Sequence, residues 1–432
     1  MRSPSGDAPS LRRAAAAGTT SAVPPLHVYL HFPWCLEKCP YCDFVSFKTE
    51  RAAIDHEGYA DAVLRELQAR AEVYEGHQLR TVFIGGGTPS LWEPRSLGRV
   101  LKAIDAAFPG ARAPGAEPVE ITAECNPTSL DEARAHALMD AGVTRLSVGV
   151  QSLDDAQLKF LGRLHDAALG RRGAQSAVAS GARASADLIF GLPQQRAETA
   201  AAHARELVDL GLEHLSAYAL TIEPGTRFGE LARRGRLPIA EDDATCDAFL
   251  AIEEELGRAG LRHYEVSNYA KPGAEARHNL GYWRGSAYLG LGCAAYGFAF
   301  LPRGLRRELG DGGAIAMRYR NDPDPVRYVE GTRAIRAGFP VVGDGVTSTV
   351  EPLDAQTLLR ERIMLGVRLE EGVDLDVAAE QLGLSRDEVW TSSRMRTVER
   401  LSHRGDLAIE GARLRITPRR RLSTDGIAAQ LF

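Results

Sequence analysis

Three cysteines fall within eight residues, in Cys35-Leu-Glu-Lys-Cys39-Pro-Tyr-Cys42, and this C-x3-C-x2-C triplet follows directly on a β-rich run. Three thiolates at that spacing can wrap a short loop around one corner of an iron–sulfur cube. Such clusters are usually held by four thiolates, so with three, one iron of a 4Fe–4S cluster keeps an open position. That position suits a ligand offering an amine and a carboxylate, such as the methionine moiety of S-adenosylmethionine (SAM). Structural zinc is the plainer alternative, but it wants four ligands, typically in two pairs. His31 would have to be the fourth ligand, and no second pair exists. Three buried thiols gathered by chance are the other plain alternative.

A second group of residues lies one strand further on. Gly85-Gly-Gly-Thr88-Pro-Ser90 follows the apolar run Thr81–Ile84. Three glycines let backbone N–H and C=O groups approach a small polar ligand closely. No Gly-Lys-Ser/Thr follows, so this is not a phosphate loop. By itself it reads as a tight strand-to-helix turn; beside the cysteines it becomes a seat for an amino group. Polar residues then stand at the ends of successive apolar strands: Glu124 with Asn126, Gln151 with Ser152, then Asp187, with Arg163 on the loop after Gln151. Strand-end polar groups in a barrel converge on its mouth. One acid there is usually a structural hydrogen-bond partner, whereas four such positions in register suit a ligand with an amine, a carboxylate and a ribose diol.

The elements that must hold these residues are strands and helices in alternation. Strands are expected at Leu26–Phe32, Thr81–Gly85, Glu120–Cys125, Arg145–Val150, Ala186–Gly191, Leu215–Leu220 and His263–Ala270. Most read as near-continuously apolar, as in a parallel sheet covered by helices. Between them, Tyr59–Val73 carries Ala60, Val63, Leu64, Leu67 and Ala71 on one helical stripe. Ser129 and Glu132 read as a capping box for a helix through Met139 that Gly142 closes. Leu97–Ile104 and Ala200–Leu210 are helical too. Such units imply a parallel sheet or a β/α barrel. Alternation stops near residue 270, and 300–345 reads as irregular connection. From 354, helices over 354–366, 374–382 and 386–403 precede a hairpin, Leu407–Glu410 with Arg413–Thr417, the order of a small winged-helix-like domain. The expected organisation is a disordered low-complexity tail over 1–24, a barrel over 25–270, a connecting region over 271–353 and a C-terminal domain over 354–432.

Composition restricts function. The 432 residues allow two to four domains, and 44% hydrophobic with 25% charged residues is ordinary for a globular chain. A net charge of −5 gives no broad basic field for nucleic acid. The uncharged stretches 14–36 and 285–302 carry prolines or glycines and do not read as membrane spans. Arg12 and Arg13 precede too short and polar a segment for a signal peptide. A tight cysteine triplet in such a chain points to metal ligation in the cytoplasm. Cys125, Cys246 and Cys293 stand apart and read as inert. Arg413, Arg415, Arg419, Arg420 and Arg421 form a basic run beside the wing, which reads as a solvated or interface face before it reads as a nucleic-acid site.

The run from His31 to Phe44 (HFPWCLEKCPYCDF) resembles the cluster loop of radical SAM proteins. With Gly85–Leu91 (GGGTPSL), Glu124–Pro127 (ECNP), Gly149–Ser152 (GVQS) and Asp187–Pro193 (DLIFGLP), the chain resembles the oxygen-independent coproporphyrinogen III oxidase-like group. Tyr218–Thr226 (YALTIEPGT), His263–Ala270 (HYEVSNYA) and His278–Trp283 (HNLGYW) make it most similar to the haem chaperone family HemW within that group. The resemblance spans about residues 25–432. It implies a partial (β/α)6 barrel with a small C-terminal domain. It implies cluster ligation by Cys35, Cys39 and Cys42, and SAM contacts from Tyr29, Tyr41, Gly86, Gly87, Thr88, Glu124, Gln151, Arg163 and Asp187, with Asp187 at the ribose.

Two departures set the chain apart from the oxidases it resembles. Phe44 stands where they carry a further Cys two residues after the triplet, and their N-terminal arm is represented only by the low-complexity tail. His278 is the haem-ligand candidate; read alone, a His among aromatics is more often packed and hydrogen-bonded. Relatives often have Gly-Ala-His-Gly where this chain has Ala294-Ala-Tyr296-Gly297. The resemblance therefore implies a carrier that delivers haem to client proteins such as respiratory enzymes, at the membrane periphery when it does so. A flavodoxin- or ferredoxin-type electron donor goes with that reading. The alternative is radical SAM oxidative decarboxylation of coproporphyrinogen III. Phe44 and the missing arm favour the carrier over the enzyme, and the net charge of −5 ranks a nucleic-acid regulator below both.

Overall fold

The computed structural model describes residues 23–110, 117–302 and 313–432. Residues 1–22 of the expected tail lie outside them. Twelve strands build one large sheet, labelled in chain order: β1 Pro25–Phe32, β2 Gln78–Gly86, β3 Glu120–Cys125, β4 Arg145–Gln151, β5 Arg183–Phe190, β6 His214–Ala219, β7 Arg262–Glu265, β8 Asn268–Ala270, β9 Ala287–Leu291, β10 Tyr296–Phe300, β11 Ala314–Asn321 and β12 Thr347–Asp354. Their spatial order is β12-β11-β10-β9-β1-β2-β3-β4-β5-β6-β8-β7. The run from β9 to β6 is parallel throughout. Antiparallel strands extend it at both ends. The six expected barrel strands are present, joined by a seventh parallel strand, β9.

Helices between these strands cover one face of the sheet. Leu26, Val28, Leu30 and Phe32 of β1 are fully buried against His56–Arg70 and Pro94–Ala107, in a core shared with Val63, Leu97 and Val100. The other face of the same strands is polar. Successive strand residues point to opposite faces, so His27, Tyr29 and His31 of β1 face inward with Thr122 and Glu124 of β3, Ser147 and Gln151 of β4, and Ser185 and Asp187 of β5. The near-continuous apolar reading of these strands is therefore corrected. Ala184 and Ala186 of β5 are buried on the outer face, and Ser185 between them lines the barrel.

Other expectations shift locally. The helix expected from Ser129 begins at Glu132, and Asp131 caps it by accepting the Arg134 amide at 2.7 Å. Ser129 is unavailable because its hydroxyl pairs with Ser90 at 2.7 Å and sits in a 3₁₀ turn. His263–Ala270 is a hairpin of two short strands rather than one strand. The segment expected to be irregular contains β11, whose Tyr319 and Asn321 are buried while Arg318 and Arg320 point the other way. Arginine on alternate positions disguised this strand. The 386–403 helix is broken at Trp390; Ser385 opens the first piece with a capping box and Thr391 caps the second.

The C-terminal unit has the expected order of helices Ala355–Gly366, Leu375–Leu382, Arg386–Val389 and Ser392–His403, then the hairpin Leu407–Glu410 and Arg413–Ile416. Val373–Asp374 adds a third strand. Its core of Leu359, Leu375, Val389, Leu401 and Leu414 continues onto Phe298, Ala316 and Leu353 of β10–β12. The large sheet and the small domain thus share one interface.

Candidate functional site

β1 delivers the chain at Phe32 into the cysteine loop. Trp34–Cys35 pairs in parallel with Phe47–Lys48, and the amides of Phe47 and Thr49 donate to Pro33 and Cys35 at 2.7 and 2.8 Å. Inside this closed loop the Cys42 amide donates to the Cys39 carbonyl at 3.1 Å. The three thiols and Tyr41 line one cavity of about 410 Å³ at the C-terminal ends of the barrel strands. Burial pushes the Cys35 thiol up and the Cys42 thiol up to about 11. A bound cation reverses that preference and deprotonates a ligating thiol.

The donor set bears on the choice between cluster and zinc. Both nitrogens of His31 are already used, Nδ1 with the Tyr29 hydroxyl at 3.0 Å and Nε2 with the Val45 carbonyl at 2.8 Å. The zinc reading loses its fourth ligand. Among the described residues no three His, Cys, Asp or Glu side chains converge on a single-ion site. A four-iron cube is wider than one ion and takes its thiolates at separate corners. The three cysteines fit such a group.

The glycine turn is set beneath this loop. Gly86 has φ +107°, and a Cβ there would lie 2.5 Å from the His31 ring; a Cβ on Gly87 would lie 2.6 Å from the Trp34 carbonyl. Only glycine lets the turn pack so closely against β1 and the loop. Its amides are occupied: Gly87 donates to Phe32 at 2.7 Å, Thr88 to Trp34 at 2.8 Å, and Gly86 to the Glu124 carboxyl. The turn can therefore offer a ligand carbonyl oxygens, which suit an ammonium group.

Acids and one cation complete the mouth. Burial, then the neighbouring Asp187, pushes Glu124 up to about 8. Burial also raises Asp187 to about 6, against hydrogen bonds from Ser216 and Ser147 and the charges of Arg163 and Arg145. Arg163 donates to the Gly149 carbonyl at 2.9 Å and reaches Cys39 Sγ at 3.4 Å, while its Nε has no partner among the described residues. Gln151 holds φ +66°, a strained conformation for a residue with a Cβ, and its side chain passes Gly149, where a Cβ would come within 2.8 Å of Nε2. Strain at a cavity wall is a mark of functional placement.

Tyr41, Gly86, Gly87, Thr88, Glu124, Gln151, Arg163 and Asp187 line the cavity with the three cysteines. Two candidates do not. The Tyr29 hydroxyl is engaged by His31, and its ring stacks beside Phe83. His278 lies at the opposite end of the barrel, 1% exposed, in the helix Arg277–Trp283. Its Nδ1 pairs with Thr81 at 2.7 Å, its amide donates to Glu120 at 3.1 Å, and its ring stacks on Phe83 at 5.1 Å. Its Nε2 has no partner among the described residues, and burial depresses its pKa well below the usual imidazole value. Tyr296 is 46% exposed on β10, with the Arg320 guanidinium 5.3 Å above its ring.

Sequence reasoning missed Ser147, Ser185, Ser216 and Tyr218, all on the cavity wall. The signal was strand alternation: Ser185 stands two residues before Asp187 and Ser147 four before Gln151, whereas on β6 no inward position had been identified. Four of the five basic-run arginines are ion-paired: Arg413 with Asp374, Arg415 with Glu370, Arg420 with Asp406 and Arg421 with Glu253. Among the described residues no helix is long and apolar enough to cross a membrane.

Comparison with known proteins places this geometry. The Radical SAM superfamily model matches residues 29–207 and the HemN C-terminal domain model residues 353–422. The chain is 42% identical to the heme chaperone HemW of Escherichia coli (strain K12), over 65% of this chain and 72% of that one. It is 33% identical to the heme chaperone HemW of Mycobacterium tuberculosis (strain ATCC 25618 / H37Rv), over 94% and 95%. It is 33% identical to the mitochondrial radical S-adenosyl methionine domain-containing protein 1 of Mus musculus, over 80% and 74%. The structure of the Escherichia coli coproporphyrinogen III oxidase HemN, a radical SAM enzyme, superposes with a TM-score of 0.74 at 18% identity, over 94% of this chain and 90% of that one. At that identity the likeness is one of fold.

Proposed function

The chain belongs to the HemW family of radical SAM proteins, and from that premise we propose that it binds haem and delivers it to haem-dependent client proteins while carrying a 4Fe–4S cluster and SAM. The observation that carries this reading is a relative named as a heme chaperone that matches 94% of this chain and is itself matched over 95% of its length. Cys35, Cys39 and Cys42 would hold the cluster, which when bound would supply reducing power and an iron open to SAM. The chain's own groups do the rest. Carbonyls of the glycine turn and the Glu124 carboxyl receive the amine. Arg163, at hydrogen-bond distance from Cys39 Sγ, holds negative charge near the cluster corner. Asp187, seated between Ser147 and Ser216, accepts from a ribose diol.

His278 would ligate haem through Nε2, the ring nitrogen left without a partner among the described residues. The helix Arg277–Trp283 must swing off the barrel floor to expose it. Clients are respiratory enzymes met at the membrane periphery from the cytoplasm, and a flavodoxin- or ferredoxin-type protein reduces the cluster. Decarboxylation of coproporphyrinogen III is the rival activity, and Phe44, 58% exposed beside the cluster loop, stands where the oxidases carry a further Cys. A haem titration followed at the Soret band tests the reading. Saturation at one haem per chain, with a band that shifts in His278→Ala, is expected. Absence of saturable binding overturns it; saturable binding with an unchanged band in the variant removes His278 as ligand.

A further inference from the structure

The cavity does not end at the mouth. Below Glu124 and Asp187, one inward-facing position down each strand and so roughly 6–7 Å deeper, its wall passes to Thr122 and Ser185, and its closed end is formed by Arg145, His214, Ala276 and Asn279. Thr122 is level with Arg145, and Ser185 with His214, in the strand register. Arg145, His214 and Thr122 are at most 2% exposed. Yet Arg145 Nη2, His214 Nδ1 and Thr122 Oγ1 have no hydrogen-bond partner among the described residues. Three buried polar atoms left open on one cavity wall are a large unmet demand, since such groups are almost always paired.

Arg145 sets the polarity of this end, although Glu120 Oε2 beside it is also without a hydrogen-bond partner among the described residues. Arg145 is a permanent cation; its Nη1 donates to the Ala274 carbonyl at 3.0 Å and lies 3.7 Å from Glu120, leaving Nη2 free. His214 Nε2 meets the Tyr264 hydroxyl at 2.8 Å, and that oxygen already accepts the Ala276 amide at 3.2 Å. Tyr264 keeps a second lone pair beside its own hydrogen, so this contact admits either tautomer of the neutral ring; when Tyr264 donates to Nε2, the hydrogen of the ring stands on Nδ1. Burial and the charges of Arg145 and Arg183 keep the ring neutral. Thr122 can donate its hydroxyl and Asn279 its amide. A set of donors around one guanidinium fork matches a planar acceptor with two oxygens.

We propose that the closed end of the barrel is a carboxylate-binding subsite formed by Arg145, His214, Thr122 and Asn279. Its ligand presents one carboxylate to the floor while the rest of the molecule extends toward the SAM layer. That carboxylate belongs to a free aliphatic acid, or to a propionate of a porphyrin held without His278, since ligation by His278 would carry Asn279 away with its helix. The inference rests on the haem reading only where it names a porphyrin as one source.

The test uses the full chain with two kinds of probe: acetate and glutarate by calorimetry, with n-butylamine as the opposite-charge control, and haem against haem dimethyl ester at the Soret band. Wild type should bind an acid and not the amine. Arg145→Met should weaken acid binding about tenfold to a hundredfold, the range for losing one charged hydrogen bond. Thr122→Val with Asn279→Leu should weaken it several-fold. If Arg145→Met does not fold, this pair of milder substitutions decides. Haem binding tighter than its ester, with the difference abolished by the floor variants, supports the subsite with a propionate as ligand. Equal haem and ester binding, with acid binding that follows Arg145, supports it with a free acid. Acid binding that depends on Arg145 in a chain that binds no haem upholds the subsite and removes the haem reading. Acid and haem binding both indifferent to every floor variant overturns the proposal and leaves water on these donors.

Discussion

The mouth and the floor of the barrel are both buried and polar, and they hold their protons in opposite ways. At the mouth burial keeps acids and thiols from ionising, with Glu124 pushed up to about 8 and Cys42 up to about 11. At the floor burial keeps imidazoles from charging, with His27 lowered to about 4 and His214 and His278 depressed well below their usual value. Mouth groups line an accessible cavity, so a ligand can supply the missing partners at once. His278 is packed between Thr81, Phe83 and Tyr282 and has only Nε2 to offer. On the proposed reading the mouth is preorganised for cluster and SAM, whereas His278 would be reached by haem only after a helix moves.

Breaking the mouth should have the largest effect. Replacing Cys35, Cys39 and Cys42 together by Ala should reduce the iron of anaerobically reconstituted protein from about four per chain to nearly none. Iron analysis and the visible charge-transfer band check this, and unchanged iron would return chance clustering to the front. Next in size, Asp187→Ala and Arg163→Ala should each weaken SAM about tenfold to a hundredfold, the range for one buried charged hydrogen bond. His278→Ala should leave SAM affinity within about twofold. Equal losses from both ends would erase the distinction between them.

Opening of the floor predicts a kinetic signature. In stopped-flow mixing, the rate of haem binding should level off as haem concentration rises, because the helix movement precedes ligation. A rate that climbs linearly to the highest concentration would mean an open site.

The smallest effect is on stability against pH. Glu124 has its folded pKa raised from 4.5 to about 8, so its contribution is complete below about pH 4.5 and lost as pH rises toward 8. His27, His31 and His165 are lowered from 6.5 to about 4, so theirs is present above pH 6.5 and lost as pH falls toward 4. The cofactor-free protein should melt highest near pH 6–7, on these pKa values. Glu124→Gln should flatten the alkaline limb only, and a melting series between pH 5 and 8.5 reads both limbs.

The mouth was legible in the sequence because its residues sit at the ends of strands, next to turns that announce themselves: the cysteine triplet, the glycine turn, Glu124, Gln151 and Asp187. The floor was not. His278 meets Thr81 across 197 residues of chain, and no local pattern records that contact. The barrel lining was obscured because serine alternating with alanine in β5 leaves no clear hydrophobic period, although Ser185 and Asp187 face the cavity and Ala184 and Ala186 do not. β11 was read as connection because Arg318 and Arg320 alternate with its buried residues. In each case the missing information was the identity of the covering partner, which is a property of the assembled sheet.

The central claim is that this barrel carries a porphyrin rather than consuming one. The most direct test gives the cluster-loaded protein SAM and reductant under anaerobic conditions, with coproporphyrinogen III as the offered substrate, and assays protoporphyrinogen IX. The account predicts no product above the level of the protein lacking its three cluster cysteines. Formation of protoporphyrinogen IX over many turnovers would contradict it and make the chain an oxidase.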